Sequence, residues 1–199
     1  MFFAVIGDIM SNFSALQQIL NTLQEQGIQR ILHTGNVCVG SAYARECVDL
    51  LRQHKVLCVQ GRMDKAVVKM KGGKGFADTL LLRETHAALG SHAIEFLNGL
   101  PRKRAFVEEG LRILVCHGAV NCAGDTLTAA TSAERFRRER ELDASDIIVC
   151  GGAPEPFAFN IDKTFFVCPG TITDTAGGIR YMLVNTETSP WSALSETLC

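Results

Sequence analysis

Phe2-Phe3-Ala4-Val5-Ile6-Gly7-Asp8-Ile9-Met10-Ser11-Asn12 is the stretch on which the fold turns. Five apolar residues in a row, too short for a helix and bounded by glycine, read as a strand buried on both faces. That strand ends in a polar corner at Asp8. The same pattern recurs along the chain. Ile31-Leu32 runs into Thr34-Gly35-Asn36, Val56–Val59 into Gly61-Arg62-Met63-Asp64, Ile113–Cys116 into His117-Gly118, and Ile147–Cys150 into Gly151-Gly152-Ala153-Pro154. In open α/β sheets ligands gather outside the carboxyl ends of the strands. These corners are therefore where a site is expected.

Between the first corners lie helical patterns. After the polar group Ser11-Asn12-Phe13-Ser14, any of whose polar side chains would serve as a cap, Leu16, Ile19, Leu20 and Leu23 repeat at helical spacing as far as Gly27. The segment 42–53 carries Cys47, Val48, Leu50 and Leu51 and predicts a second helix between strands at 30–34 and 55–60. A β-α-β-α-β opening of this kind calls for parallel strands with crossover helices. Farther on, Glu84–Leu97 predicts a helix, Glu109-Gly110 a hairpin turn between Phe106-Val107 and Arg112–Cys116, and Ser132–Leu142 a charged, solvated helix. Thr164–Val167 and Arg180–Val184 suggest two more strands. Lys69–Gly75 (KMKGGKG) reads as a basic turn or a phosphate-contacting flap, without P-loop spacing. One domain over 1–199 is expected, with 189–199 a tail of uncertain order.

Composition narrows the function classes. A formal net charge of -1 gives no global attraction to nucleic acid or anionic membrane, and neither partner is expected. No stretch approaches the ~20 apolar residues of a membrane span, and no signal-like segment opens the chain, which points to the cytoplasm. The 8 cysteines include no Cys-x-x-Cys pair, which argues for reduced core residues over a zinc site.

The blocks Asp8-Ile9-Met10-Ser11-Asn12, Gly35-Asn36, Gly61-Arg62-Met63-Asp64, His117-Gly118, Gly151-Gly152-Ala153-Pro154 and Pro169-Gly170-Thr171 follow one another in an order that resembles the calcineurin-like metallophosphoesterases. The resemblance runs from Phe3 to about Asn185 and is strongest to the small bacterial and archaeal phosphodiesterase branch. It implies an α/β fold, a four-layer αββα sandwich of two mixed sheets flanked by helices. It also implies a two-metal phosphoesterase site. Of that family's ligand positions, Asp8 and His117 keep the expected residue. Met10 stands at a metal-binding histidine, Asn36 at the bridging aspartate, Arg62 at a ligand asparagine, and Gly152 and Pro154 at the paired histidines. Met63 falls where many members place a histidine that acts on the substrate.

Two dications about 3.5–4 Å apart clamp phosphate and generate hydroxide, and a bridging carboxylate offsets their repulsion. Asn36 carries no charge, and Arg62 cancels the charge of Asp8. The expectation is a metallophosphoesterase-fold protein with a degenerate site, inactive as a standard hydrolase and needing no cofactor. Its mouth would bind a small phosphorylated or anionic ligand through Arg62, Asp8, Asn36 and His117. The alternative is a phosphodiesterase or phosphatase with catalytic candidates Asp8, Asn36 and His117 around a single divalent metal (Mn, Fe, Ni or Zn). An unrelated doubly wound nucleotide binder ranks last, because Gly7–Asn12 is not G-x-G-x-x-G. Three local readings accompany this. Arg62 pairs with Asp8 or is a surface loop residue, His117 bonds a strand-end carbonyl or ligates, and Cys38 is the one thiol worth testing as a nucleophile. His33 would face either the cleft or the core. A homo-oligomer is also possible.

Overall fold

The computed structural model describes residues 1–40, 42–70, 79–173 and 176–198. The strands are β1 (Phe2–Ile6), β2 (Ile31–His33), β3 (Leu57–Cys58), β4 (Lys103–Glu108), β5 (Leu111–Cys116), β6 (Ile147–Val149), β7 (Phe157–Ile161), β8 (Thr164–Cys168), β9 (Ile179–Asn185) and β10 (Ser192–Leu198). The helices are α1 (Phe13–Glu25), α2 (Ala44–Gln53), α3 (Arg62–Lys69), α4 (Thr79–Gly99) and α5 (Ala133–Leu142). One five-stranded sheet has the order β10-β9-β1-β2-β3 and the other β4-β5-β6-β8-β7. In the first, β1, β2 and β3 run parallel out to the β3 edge, with β9 antiparallel to β1 and β10 antiparallel to β9; in the second, the central β5, β6 and β8 run parallel between antiparallel β4 and β7. This is the four-layer αββα arrangement.

Strand periodicity explains why the layers stack. Phe3 and Val5 of β1 meet Ile113 and Val115 of β5, Ile147 and Val149 of β6, and Phe165 and Val167 of β8 in the core between the sheets. Their neighbours Ala4 and Ile6 pack beneath helices α1, α2 and α4. On the other outer face Leu114, Cys116, Ile148, Cys150, Phe166 and Cys168 pack against Phe136 of α5. Successive side chains in a strand point to opposite faces, so strands covered on both sides must be apolar at every position. Cys116, Cys150 and Cys168 are thus core residues on one face of one sheet, and the seven described cysteines are free thiols.

The structure selects among some sequence expectations and changes others. Asn12 is the cap of α1, accepting from Ala15 N at 3.1 Å. Helix α3 was not anticipated, nor was β7. The segment expected as a tail forms β10, hydrogen-bonded antiparallel to β9. Its serines and single glutamate give little strand signal, because β10 is a sheet edge with one solvated face. The 84–97 helix is longer, α4, and is broken at Gly90 by backbone angles of φ 70° and ψ 171°. Of the expected Lys69–Gly75 turn, Lys69 closes α3, Met70 follows it, and 71–75 lie outside the described residues.

Candidate functional site

Asp8, Asn36, Gly61 and His117 come together because β1, β2, β3 and β5 all end on one side of the sandwich. The crossing from β2 requires close backbone approach. Gly35 sits at φ 100°, and a Cβ there would lie 2.6 Å from Gly61 Cα. A Cβ on Gly61 would in turn lie 2.1 Å from Asn36 N. Asn36 itself adopts φ 61°, a left-handed conformation that Asn tolerates better than most residues.

Asp64, which the sequence reading passed over, organises these corners. Its buried carboxylate accepts from Gly61 N at 2.8 Å, Asn36 N at 2.9 Å and Val37 N at 2.8 Å. It is the third residue of α3, so it also caps that helix. Burial pushes its carboxyl up, opposed by these backbone donors. The signal was present in Gly61-Arg62-Met63-Asp64, a glycine followed three residues later by an acid.

The Asn36 amide is held at both ends. Its Nδ2 donates to Asp8 Oδ2 at 2.9 Å, and its Oδ1 accepts from Met63 N at 2.8 Å. A carboxylate can only accept and a backbone N–H can only donate, so the amide orientation follows from its partners. The other Asp8 oxygen, Oδ1, is buried with no hydrogen-bond partner of normal geometry and lies 4.0 Å from His117 Nδ1. Burial raises the Asp8 carboxyl above the usual range, and His117, Asn36 and the Gly152 amide oppose that rise. His117 Nδ1 is 2.7 Å from Thr34 O, so this nitrogen carries the proton and donates it to the carbonyl. That is the carbonyl-bonded histidine weighed from sequence.

The expected Asp8–Arg62 ion pair is not among the ion pairs of the described residues. Arg62 begins α3 as an exposed residue, and the Asn36 amide holds the place beside Asp8. Cys38 is fully buried and donates to Ala44 O at 3.2 Å; burial and Asp64 push its thiol far up, which disqualifies it as a nucleophile. His33 is a core residue, its ring pushed down to about 3 by burial first and His117 second.

A bridging cation needs oxygen or nitrogen lone pairs on the residues that flank it. Asn36 turns an N–H toward Asp8 instead. Met10 is exposed at φ 52°, Gly152 sits at φ 76°, and Pro154 presents its carbonyl to Arg180 Nη2 and Thr171 N. Among the described residues no three His, Cys, Asp or Glu side chains converge to hold an ion. The residues present do not fit a metal pair of this family.

Beside this cluster opens a cleft of about 480 Å³. Arg62 and Lys65 of α3 line one part, and Arg102 and Lys103, which lead into β4, line another. His117, Ala119 and Val120 also line it, and no Asp or Glu does so among the described residues. Arg102-Lys103 was legible as a charged pair after Pro101, but not as part of a site.

Residues 1–189 match the calcineurin-like phosphoesterase superfamily domain, and the chain belongs to that superfamily. An uncharacterised protein of Methanocaldococcus jannaschii is 31% identical over 111 residues, 55% of this chain and 44% of that protein. The match thus spans less than half the length of that curated relative. Among solved structures, a hypothetical protein from Pyrococcus horikoshii superposes with a TM-score of 0.83 at 19% identity, over 97% of this chain and 86% of its own. A metallophosphoesterase from Sphaerobacter thermophilus gives 0.75 at 16%, over 100% and 88%. Vacuolar Protein Sorting 29 from Cryptosporidium parvum gives 0.58 at 16%, over 99% and 97%. At these identities the structural likeness establishes the fold.

Proposed function

We propose that this chain is a metallophosphoesterase-fold protein whose two-metal site is degenerate, and that it binds an anionic, phosphate-bearing ligand at the mouth beside Arg62 without hydrolysing it. The observation that carries this reading is the Asn36 amide, whose N–H is bonded to Asp8 where a bridging dication would need a lone pair. The cleft next to it supports the binding half, because its cationic lining suits a phosphate group as a two-metal mouth would, but without metals. Arginine and lysine on α3 add to the positive end of that helix. Free thiols in the core and no helix among the described residues long and apolar enough to cross a membrane go with a cytoplasmic setting.

The second reading, a phosphodiesterase or phosphatase with one divalent metal at Asp8, Asn36 and His117, draws on the unpartnered Asp8 Oδ1. Elemental analysis of protein purified without chelator, followed by calorimetric titration of pyrophosphate in EDTA, separates the two. The proposal expects substoichiometric metal and pyrophosphate binding in chelator. Near one metal per chain, with binding only after metal is added, would establish the second reading.

A further inference from the structure

The two walls and the floor of the cleft differ in chemistry, and that difference bears on what fits inside. Arg62 and Lys65 belong to α3, while Arg102 lies in the connection between α4 and β4 and Lys103 is the first residue of β4. None of the ion pairs among the described residues involves Lys65, Arg102 or Lys103. Lys103 Nζ instead donates to Asn121 Oδ1 at 3.1 Å. On a chain of net charge -1, Lys65, Arg102 and Lys103 form a local concentration of positive charge, which like-charge repulsion disfavours unless a ligand offsets it. A single phosphate engages one or two such groups; four cations on two walls match a chain of two or more phosphates.

Beside the polar Gln60, His117 and Asn121, the remaining lining is small or apolar and held in place. Cys116, Ala119 and Val120 are buried residues along its floor. The loop that carries Ala119 and Val120 folds on itself, with Ala119 N donating to Asp125 O at 2.8 Å, Cys122 N to Ala119 O at 3.0 Å and Asp125 N to Cys122 O at 3.1 Å. Glu139 of α5 anchors it by accepting from Val120 N at 2.6 Å, and Arg135 ties Asp125 and Glu139 together. A wall held this way loses little entropy when a ligand docks. Its volume of about 480 Å³ exceeds what an inorganic phosphate chain fills and lies within the span of organic-ligand pockets.

We infer that the ligand is an organic di- or triphosphate of nucleotide size, with its phosphates spread across Arg62, Lys65, Arg102 and Lys103 and its organic part on the Ala119–Val120 floor. This rests on the anion-binding reading above and specifies its ligand. Calorimetric titrations in EDTA with phosphate, pyrophosphate and adenosine diphosphate test it, with Lys65→Ala, Arg102→Ala and Ala123→Glu variants checked for unchanged melting. Adenosine diphosphate is expected to bind at least about tenfold more tightly than pyrophosphate, and pyrophosphate more tightly than phosphate. Lys65→Ala and Arg102→Ala should each weaken both polyphosphates several-fold. Ala123, half-buried, also lines the cleft beside Val120; Ala123→Glu, which places a carboxylate there, should weaken adenosine diphosphate more than pyrophosphate and so narrow the advantage of the organic ligand. Equal affinity for pyrophosphate and adenosine diphosphate would overturn this inference and leave the anion-binding reading standing. Failure of all three probes to bind at millimolar concentration would overturn both.

Discussion

Asn36 decides the chemistry at the residue scale. An aspartate there would set a second carboxylate against Asp8; the amide supplies a hydrogen bond of 2.9 Å instead. Asn36→Asp removes that donor and leaves two buried acids in contact. The variant should lose about 1–3 kcal/mol of stability near neutral pH, seen as a lowered urea midpoint, and recover part of it in acid as one proton is taken up. The wild-type midpoint should not respond to manganese or EDTA. Asp8 has a pH signature of its own. Its carboxyl is raised by burial, so the folded state binds that proton more tightly than the unfolded chain does. Its stabilising contribution is complete below the ordinary carboxylate value of 3.8 and is lost as pH rises through the folded value. Urea midpoints measured from acid to neutral pH should therefore fall less steeply in Asp8→Asn than in wild type. Asp8 and His117 were legible in the sequence because each follows an apolar run at a strand end. The direction of the Asn36 amide was not, since its two ends are chosen by Met63 N and Asp8, residues distant in sequence.

At the scale of elements, segments with an unbroken apolar run or a sustained helical spacing were readable, and those with neither were not. Helix α1 shows apolar residues at helical spacing, and the β4–β5 hairpin announces itself through Glu109 and Gly110, both at positive φ as a two-residue turn requires. Helix α3 is only eight residues long, too short for the spacing of Met63, Ala66 and Val67 to stand out, and forms because Asp64 caps it while Ala66 and Val67 pack beneath α4. Strand β10 depends on β9 for its existence. Gly90 marks a second limit of periodicity, since a helical pattern continues on both sides of a residue whose backbone is not helical. Its φ of 70° and ψ of 171° belong to a region used almost solely by glycine, and open space surrounds the position. Gly90→Ala should cost about 1–3 kcal/mol through backbone strain alone, without a steric clash, and denaturant titration will read it.

For the whole molecule, the sandwich explains how residues from widely separated segments share one mouth. Three parallel strands in each sheet place the β1, β2, β3, β5 and β6 ends side by side, so substitutions in separate sequence blocks act on one space. The sheet pairing was implied by the order of the motif blocks; strand periodicity alone reached only as far as parallel strands with crossover helices. The cationic cleft was less accessible to reading, because Arg62 and Lys65 meet Arg102 and Lys103 only once α4 has carried the chain back. A ligand held by these groups should bind with a strong salt dependence, its affinity for adenosine diphosphate falling several-fold between about 50 and 300 mM sodium chloride.

The central claim is that this fold no longer supports two-metal hydrolysis. Turnover of bis(p-nitrophenyl) phosphate during a manganese titration, with wild type and Asp8→Ala run in parallel, tests it directly. The account predicts rates indistinguishable from the manganese-containing buffer for both proteins at every concentration. Saturable, manganese-dependent turnover in wild type that disappears in Asp8→Ala would contradict it and establish an enzyme.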